Sequence, residues 1–413
     1  MGNDKTQPAV QSSILVHPVT IAIWMAVCVV SALASHTVLA VFSGFVFALT
    51  LCSLVWGRLS LRGVHYDLDL PKRGVFPGQS VALTRTVYNG KILPLLWFEL
   101  LEPCSPNGCA VPEGNLIVSN PNATEDGPID DAWRCLYSFS ILKWHQTLTF
   151  SDLWTAKCRG IHRIDKVTIR SGDGFGLCAA NDHLTLTASR QITVYPQLTD
   201  VSVDAILNDM WDSRSRSLGY LEDITMMKSV RNYTARDPAR RINQRLLARG
   251  QGLKVNQYEV VTPSDVLFVL DTSSFSGQNS EHFELVLSIL ASLITGLSRR
   301  GVNVGLIAPR SAYFPQTCVE PSTGELELTR MLELLSAAAQ ENPPLEHIAD
   351  YPAAKLLGQV YCVAYNEESS TSLQTLAHFP QHKVQLLTFE AGGVPVDSQG
   401  LRARTITQFW RAS

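Results

Sequence analysis

A chain of 413 residues has room for two or three domains, and at 46% hydrophobic against 17% charged residues it is apolar for a protein living wholly in water. The net charge of −3, from 34 Lys and Arg against 37 Asp and Glu, excludes a global field that would steer the chain onto nucleic acid. Nine cysteines, an odd number without framework spacing, argue for a compartment where thiols stay reduced.

The apolar excess is local. Between Lys5 and Arg58 there is no Asp, Glu, Lys or Arg, and two apolar runs, about residues 14–33 and 37–56, fill the gap. Each supplies the about 20 residues that a membrane-spanning helix needs. Only Ala34, Ser35 and His36 separate them. So short a link makes a hairpin with both ends on one side of the bilayer, because backbone polar groups in hydrocarbon must be bonded internally. A cleaved signal peptide is the alternative for the first run, with Ala32-Leu33-Ala34 as the small-residue site, but the run exceeds a signal's ~7 to 15 apolar residues. Arg58, Arg62, Lys72 and Arg73 follow the second run, Lys5 precedes the first, and the tip carries no charge. Positive residues stay on the cytoplasmic side, so the expectation is a multi-pass protein of the inner (cytoplasmic) membrane with its bulk in the cytoplasm.

The expected architecture is multi-domain: a tail and transmembrane hairpin (1–58), an all-β sandwich-like domain (59–198), a linker with a basic helix (199–263), and an α/β domain (264–413). In the second region "SVALTRTVYNG" alternates Val81, Leu83 and Val87 with polar residues and stops at Asn89-Gly90. "RGIHRIDKVTIRSGDGFGL" and "LTLTASRQITVYPQ" continue the pattern, as in an antiparallel sandwich or partial barrel. The acidic, Pro- and Asn-rich stretch 112–131 reads as an exposed loop. In "CSPNGC", Cys104 and Cys109 read as loop thiols, with a redox or metal loop as the alternative. Further on, Asp237, Pro238 and Gly250 have the spacing of an N-cap, a first helical residue and a C-terminal stop, predicting a helix of about three turns.

Beyond Thr262 strands and helices alternate. "DVLFVLD", "VNVGLIA", "QVYCVAY" and "KVQLLTF" read as buried strands and "AYFPQ" as an edge strand. Helices are expected over 282–297, 325–339 and 372–378, giving a mostly parallel sheet covered on both faces. Ligands of such sheets sit beyond the carboxyl ends of the strands, where Asp271 falls. Asp271 and the hydroxyls of Ser273 and Ser276 are oxygen donors of the kind Mg²⁺ takes. The alternative, and the favoured reading, is metal-free: Asp271 caps the next helix or bonds loop amides.

A strand ending in Asp-x-Ser and opening an alternating α/β domain resembles a von Willebrand factor A domain, whose metal site is Asp-x-Ser-x-Ser and whose sheet is doubly wound and parallel. Asp271 and Ser273 match the first two places, but the third falls on Phe275, which cannot coordinate, and Ser274 or Ser276 reaches it only through a shifted loop. The match is wider. "RGIHRIDKVTIRSGDGFGL", "ITVYPQ", "VRNYTARDPARRINQRLLARGQGLKVNQYE" and the Asp271 strand follow the order of the bacterial family catalogued as domain of unknown function 58, which also begins with a two-span hairpin and a β domain. The resemblance covers nearly all of residues 14–390. Arg231, Tyr233, Asp237, Arg240, Ile242, Ala248, Arg249 and Leu253 match its central pattern, while Arg236 and Gln244 depart from it. The resemblance implies a binding or scaffolding protein whose A-like domain docks a MoxR-type AAA+ ATPase or its client.

From Lys228 to Lys254 there are eight Lys or Arg and one acid, with Arg241, Arg245 and Arg249 at helical spacing. Nucleic-acid phosphate, anionic lipid, and carboxylates of the protein or a partner compete for Arg231, Arg240, Arg241, Arg245 and Arg249. The third is favoured, because the overall charge of −3 is unfavourable for a nucleic-acid contact. "GDGFGL" has no following helix and is not a dinucleotide loop, and His378 and His382 lack a third ligand. No nucleophile and base can be paired, so the expected function is not catalysis. No cofactor is implied beyond the alternative Mg²⁺.

Overall fold

Pro18 starts the first helix, α1 (Pro18–Leu33), at the position where its fixed φ and missing N–H cost nothing. Ser35 turns the chain with φ +58°, and the His36 amide closes back on Ser31 O at 3.0 Å before α2 (Thr37–Ser60) begins. The computed structural model describes residues 9–70, 74–114, 117–119, 133–208, 210, 222–234, 237, 242–260, 265–311, 313–314, 317–340, 342, 358–366, 384–389 and 402–410. The chain divides into two compact units, Met1–Gln197 and Leu198–Ser413.

α2 has 24 residues, is apolar enough to cross a membrane, and has only 17% of its apolar window buried. At 1.5 Å per residue it is about 36 Å long. α1 is a shorter apolar helix, because Ile14–Val16 forms a separate 3-10 turn ahead of it. The helices cross where Trp24 meets Phe42 edge-on at 6.4 Å. One face of α2 is small and polar. Ser43 and Thr50 donate their hydroxyls to Leu39 O and Val46 O, so they sit buried with their hydroxyl protons bonded. Further along, Ser53 donates to Asp173, and a side chain at Gly57 would strike Cys178 Sγ at 2.3 Å. The long apolar helix of the other unit, Ser280–Arg299, passes the same length and hydropathy test but is 61% buried, as a sheet-covering helix is.

The first unit continues as two sheets. One has the order β1 (Ala9–Ser12), β11 (Cys178–Val194), β10 (Gly160–Gly172), β5 (Phe98–Pro103), β8 (Trp133–Phe139), β7 (Ile117–Ser119), with β3 (Gly74–Val75) beside β11. The other has the order β2 (Val64–Asp69), β4 (Ser80–Asn89), β9 (Thr147–Ala156), β6 (Ala110–Pro112). Leu68, Leu83 and Trp154 from one sheet and Phe98, Ile169 and Ile192 from the other share one apolar core, the arrangement of a sandwich. Every inward position of β4 is buried, and one of them is Arg85. Cys104 is buried and Cys109 half-buried.

The His162 ring of β10 lies 5.0 Å from that of Trp154, tilted by 37°. The residue is half-buried overall with Nε2 sealed from water, and burial pushes its pKa down to about 4. The unfolded chain titrates it near ~6.5, so between these values the unfolded state binds a proton that the folded state refuses. The contribution is intact above pH ~6.5 and falls by up to about 3 kcal/mol as pH drops to ~4. Urea unfolding at neutral and acid pH is expected to show this loss, and His162→Gln to remove it from the difference between the two.

In the second unit β12 (Glu222–Asn232) and β13 (Lys254–Val260) form an antiparallel pair, with a five-residue helix, α3 (Gln244–Ala248), between them. The remaining strands make one six-stranded sheet in the order β16 (Cys318–Ser322), β15 (Asn303–Ile307), β14 (Asp265–Leu270), β17 (Gln359–Ala364), β18 (Val384–Thr388), β19 (Arg402–Thr405). All neighbours are parallel except the edge pair β15 and β16. α4 (Ser280–Arg299) follows β14 and α5 (Glu325–Ala337) follows β16. The chain enters β17 at Gly358, where an added Cβ would lie 1.6 Å from Asp265 O.

Three expectations change. Among the described residues the three-turn helix from Asp237 is not found: Ile242 and Asn243 are not helical, and α3 spans Gln244–Ala248 with Asn243 as its N-cap. The edge strand is Cys318–Ser322 rather than 312–316, of which residues 312, 315 and 316 lie outside the described residues, and β19 was not anticipated. The region read as a linker holds a strand pair, β12 and β13. The helix expected at 372–378, with His378 and His382, lies outside the described residues, as does most of 112–131.

Candidate functional site

β14 is the first strand of its sheet in the chain. β15 and β16 extend the sheet to one side of it and β17, β18 and β19 to the other, so the order reverses between β14 and β17. Loops leaving a sheet at such a point diverge and open a crevice, the usual place for a ligand in an α/β sheet. Asp271 is the residue that leaves β14 there.

Hydrogen bonds hold the turn after Asp271. Its amide donates to Val363 O of β17 at 2.9 Å, and Ser273 Oγ donates to its Oδ1 at 2.6 Å. Ser274 Oγ donates to Asp271 O at 2.7 Å and accepts from the Tyr365 amide at 3.0 Å, which ties the exits of β14 and β17 together. Asp271 and Thr272 are fully buried. Asp271 stands at the N-cap position of the 3-10 turn Thr272–Phe275, where its side chain accepts from Ser273 rather than making a capping bond.

Phe275, at the third place of the Asp-x-Ser-x-Ser pattern, is buried completely. Its ring lies 5.2 Å from Phe283 and 5.7 Å from Tyr365, and His282 stacks 4.5 Å from Phe389. Aromatic rings from α4 and from the exits of β14, β17 and β18 therefore close this end of the sheet where a metal site would present oxygens. Ser276 lies exposed beyond the turn, followed by exposed Gly277 and Gln278. Of the three proposed metal ligands, Asp271 and Ser273 are brought together and Ser276 is outside. Mg²⁺ at this turn would have Asp271 and Ser273 as its side-chain oxygens and would take the rest of its octahedral shell from elsewhere. Among the described residues no three His, Cys, Asp or Glu side chains cluster.

Sequence reasoning missed His282, Tyr365 and Phe389. The available signal was positional: Tyr365 and Phe389 are the residues that leave β17 and β18, as Asp271 leaves β14.

The basic stretch is organised by its one acid. Arg231 grips Asp237 with two nitrogens at 2.8 and 2.5 Å, and Asp237 also accepts from the Thr234 amide and hydroxyl at 2.9 and 2.7 Å. The Arg231 bonds, followed by those of Thr234, hold the Asp237 carboxyl below the usual carboxylate range. Asp237 is thus committed to a loop clamp and is unavailable as a helix cap. Asn243 caps instead, accepting from the Arg245 and Leu246 amides. Tyr233 is tied through its amide to Leu253 O at 3.0 Å, and Gly250 ends α3 with φ +71°. Arg245 lies in α3 and Arg249 is its C-cap, both exposed, while Arg240 and Arg241 lie outside the described residues.

No protein-family model and no curated protein matches the chain. Among solved structures it is similar to the CARDB domain of the PF1109 protein from Pyrococcus furiosus in complex with di-metal ions, at 12% identity, 32% of this chain, 91% of that one and a TM-score of 0.18. It is also similar to Spo0M, a sporulation control protein from Bacillus subtilis, at 15% identity, 40% of this chain, 58% of that one and a TM-score of 0.17. A third similarity is to a cohesin module of a Clostridium perfringens family 33 glycoside hydrolase, at 12% identity, 32% of this chain, 96% of that one and a TM-score of 0.19. Similarity this low carries no argument about function.

Proposed function

We propose that the chain is a membrane-anchored protein-binding scaffold. Its α1 and α2 form a two-span anchor in the inner membrane, its bulk faces the cytoplasm, and its last domain is a metal-free relative of the von Willebrand factor A type. The parallel six-stranded sheet with one antiparallel edge supports that type. The single observation that carries the binding role is the braced turn at the point where the strand order reverses. Asp271 is a positioning residue there: buried itself, it fixes Ser273 and presents the exposed Ser276, Gly277 and Gln278. The resemblance to domain of unknown function 58 supplies the partner class, a MoxR-type AAA+ ATPase acting on an envelope or other complex. Neither catalysis nor nucleic-acid binding is part of this reading.

Ser276→Arg changes an exposed side chain and is expected to leave folding intact while cutting partner capture at least about tenfold, the equivalent of about 1.4 kcal/mol. Affinity purification from solubilised membranes with trapped nucleotide, followed by mass spectrometry, reads this directly. If an AAA+ protein co-elutes equally with wild type and variant, docking is elsewhere; if none co-elutes at all, the ATPase partnership is lost.

A Mg²⁺-dependent receptor built on Asp271, Ser273 and Ser276 is the second reading, favoured only by the Ser273 to Asp271 contact. Calorimetry of the purified chain with Mg²⁺ is expected to be silent. Heat that disappears in Asp271→Ala would reverse the order of the two readings.

A further inference from the structure

Four large apolar side chains of the first unit are exposed on loops tied to the end of α2 or to one another. Ile92 is 81% exposed, Phe175 71%, Ile141 61% and Trp144 60%. Single exposed apolar residues need no explanation, but a group concentrated beside an apolar helix does.

Each segment is fastened. Phe175 lies at the tip of the β10–β11 turn, whose Asp173 accepts from Ser53 of α2 and from the Leu177 amide at 2.9 Å. Ile92 lies between Lys91, which donates to Ser60 O at the end of α2, and Leu93, which faces a hollow lined by Leu51, Val55, Trp56 and Leu59. Asn89 is fully buried, and its Nδ2 donates to Leu93 O at 3.0 Å and Lys143 O at 3.1 Å. The loop carrying Ile141 and Trp144 is thereby joined to the loop carrying Ile92, and Leu95 and Leu142 exchange backbone bonds at 2.9 Å. Both loops and the turn thus attach around residues 51–60 of α2, the helix's carboxyl-terminal end.

Exposed cations accompany them: Arg58 and Arg62 at the end of α2 and Lys143 beside Trp144. Apolar tips with a tryptophan, interleaved with basic residues, match the headgroup level of a bilayer, where aromatic rings settle and cations meet phosphate.

We infer that Ile92, Ile141, Trp144 and Phe175 form an interfacial collar that dips into the lipid headgroup region around α2 and presses the β-sandwich onto the membrane surface. The inference rests on the membrane-anchored reading and adds a second lipid contact to it. The occupant is lipid, because the collar is continuous with the apolar helix that would cross the bilayer and carries basic residues for its anionic headgroups.

The full chain is reconstituted in vesicles of phosphatidylcholine and phosphatidylglycerol in which a fraction of the lipid carries bromine, in one set near the headgroup end of its acyl chains (shallow) and in another near their methyl end (deep). Tryptophan emission is compared for the wild type, Trp144→Phe and Trp24→Phe. Bromine quenches only rings that reach it, so the difference between wild type and each variant isolates one ring. Trp24, in the middle of α1, reports the anchor itself and Trp144 reports the collar. The expected result is that both substitutions reduce the bromine-quenched part of the emission, with Trp144 quenched more by shallow than by deep bromine. Loss of quenched emission in Trp24→Phe but none in Trp144→Phe overturns the collar and leaves the anchor. No loss in either overturns both. Neither substitution removes a buried hydrogen bond among the described residues, and far-ultraviolet circular dichroism verifies that each variant is folded.

Discussion

Replacing Arg85 by alanine is expected to unfold the first unit or leave it barely stable, at a cost of about 3–5 kcal/mol. The guanidinium is fully buried between the sheets and meets Glu102 through two bonds of 2.6 and 2.7 Å, with Asp152 as a third partner. Tyr66 donates to Glu102, while Tyr137 and the Trp154 indole donate to Asp152 at 2.5 and 2.9 Å. Burial, reinforced by the charge of Glu102, pushes both tyrosine hydroxyls far above their usual range, so they remain donors. The Tyr137 ring adds a face 4.6 Å from the guanidinium carbon. Removing the one cation leaves two carboxylates facing each other with insufficient donors, the costly way to break a buried pair. Thermal unfolding followed by circular dichroism checks this. Glu102→Gln keeps a neutral acceptor beside Arg85 and is expected to cost clearly less. Equal losses for the two variants would mean that packing, rather than uncompensated charge, is what the network supplies.

Arg85 also shows where the sequence was readable. The alternation that marks Val81, Leu83 and Val87 as inward places residue 85 on the same face, and the structure obeys the period rather than the hydropathy. Continuous apolar runs were legible for the same local reason: β14, β15, β17, β18, α2 and α4 fall where the pattern puts them, with ends moved by a few residues. What failed was long-range. The pairing of β12 with β13 joins Asn232 to Lys254 across an intervening loop and α3, and no window of sequence reveals that partner. Asp237-Pro238 reads as a helix start on local rules. Arg231, six residues earlier, claims the carboxylate with two bonds and the helix starts at Asn243 instead. At the candidate site Asp271 and Ser273 were legible from the motif. Tyr365, Phe389 and His282 belong to other elements; Tyr365 meets Phe275, and His282 and Phe389 meet Tyr365, only after the sheet has assembled, so they became visible with the topology.

Phe275→Ser separates the two readings of that site. The substitution restores a hydroxyl to the third place of the Asp-x-Ser-x-Ser pattern and at the same time deletes a completely buried ring from contact with Phe283 and Tyr365. Loss of a buried phenyl leaves a cavity and costs about 3–5 kcal/mol, and a hydroxyl facing apolar rings adds to that. For a unit of this size the drop in melting temperature is expected to be about 10 °C. If the ring is structural, Mg²⁺ does not recover the loss, because Asp271 is already bonded to Ser273 and the turn is tied to β17 by Ser274. If the fold is instead a metal site lacking one ligand, Mg²⁺ raises the melting temperature of the variant and not of the wild type, since a ligand that binds only the folded state stabilises it in proportion to its occupancy. Calorimetric melting of wild type and variant with and without Mg²⁺ gives four curves, and the metal-free scaffold requires that both Mg²⁺ shifts be zero. Phe275→Leu keeps most of the buried volume without adding an oxygen, and it should fall between the two proteins in stability while remaining blind to the metal.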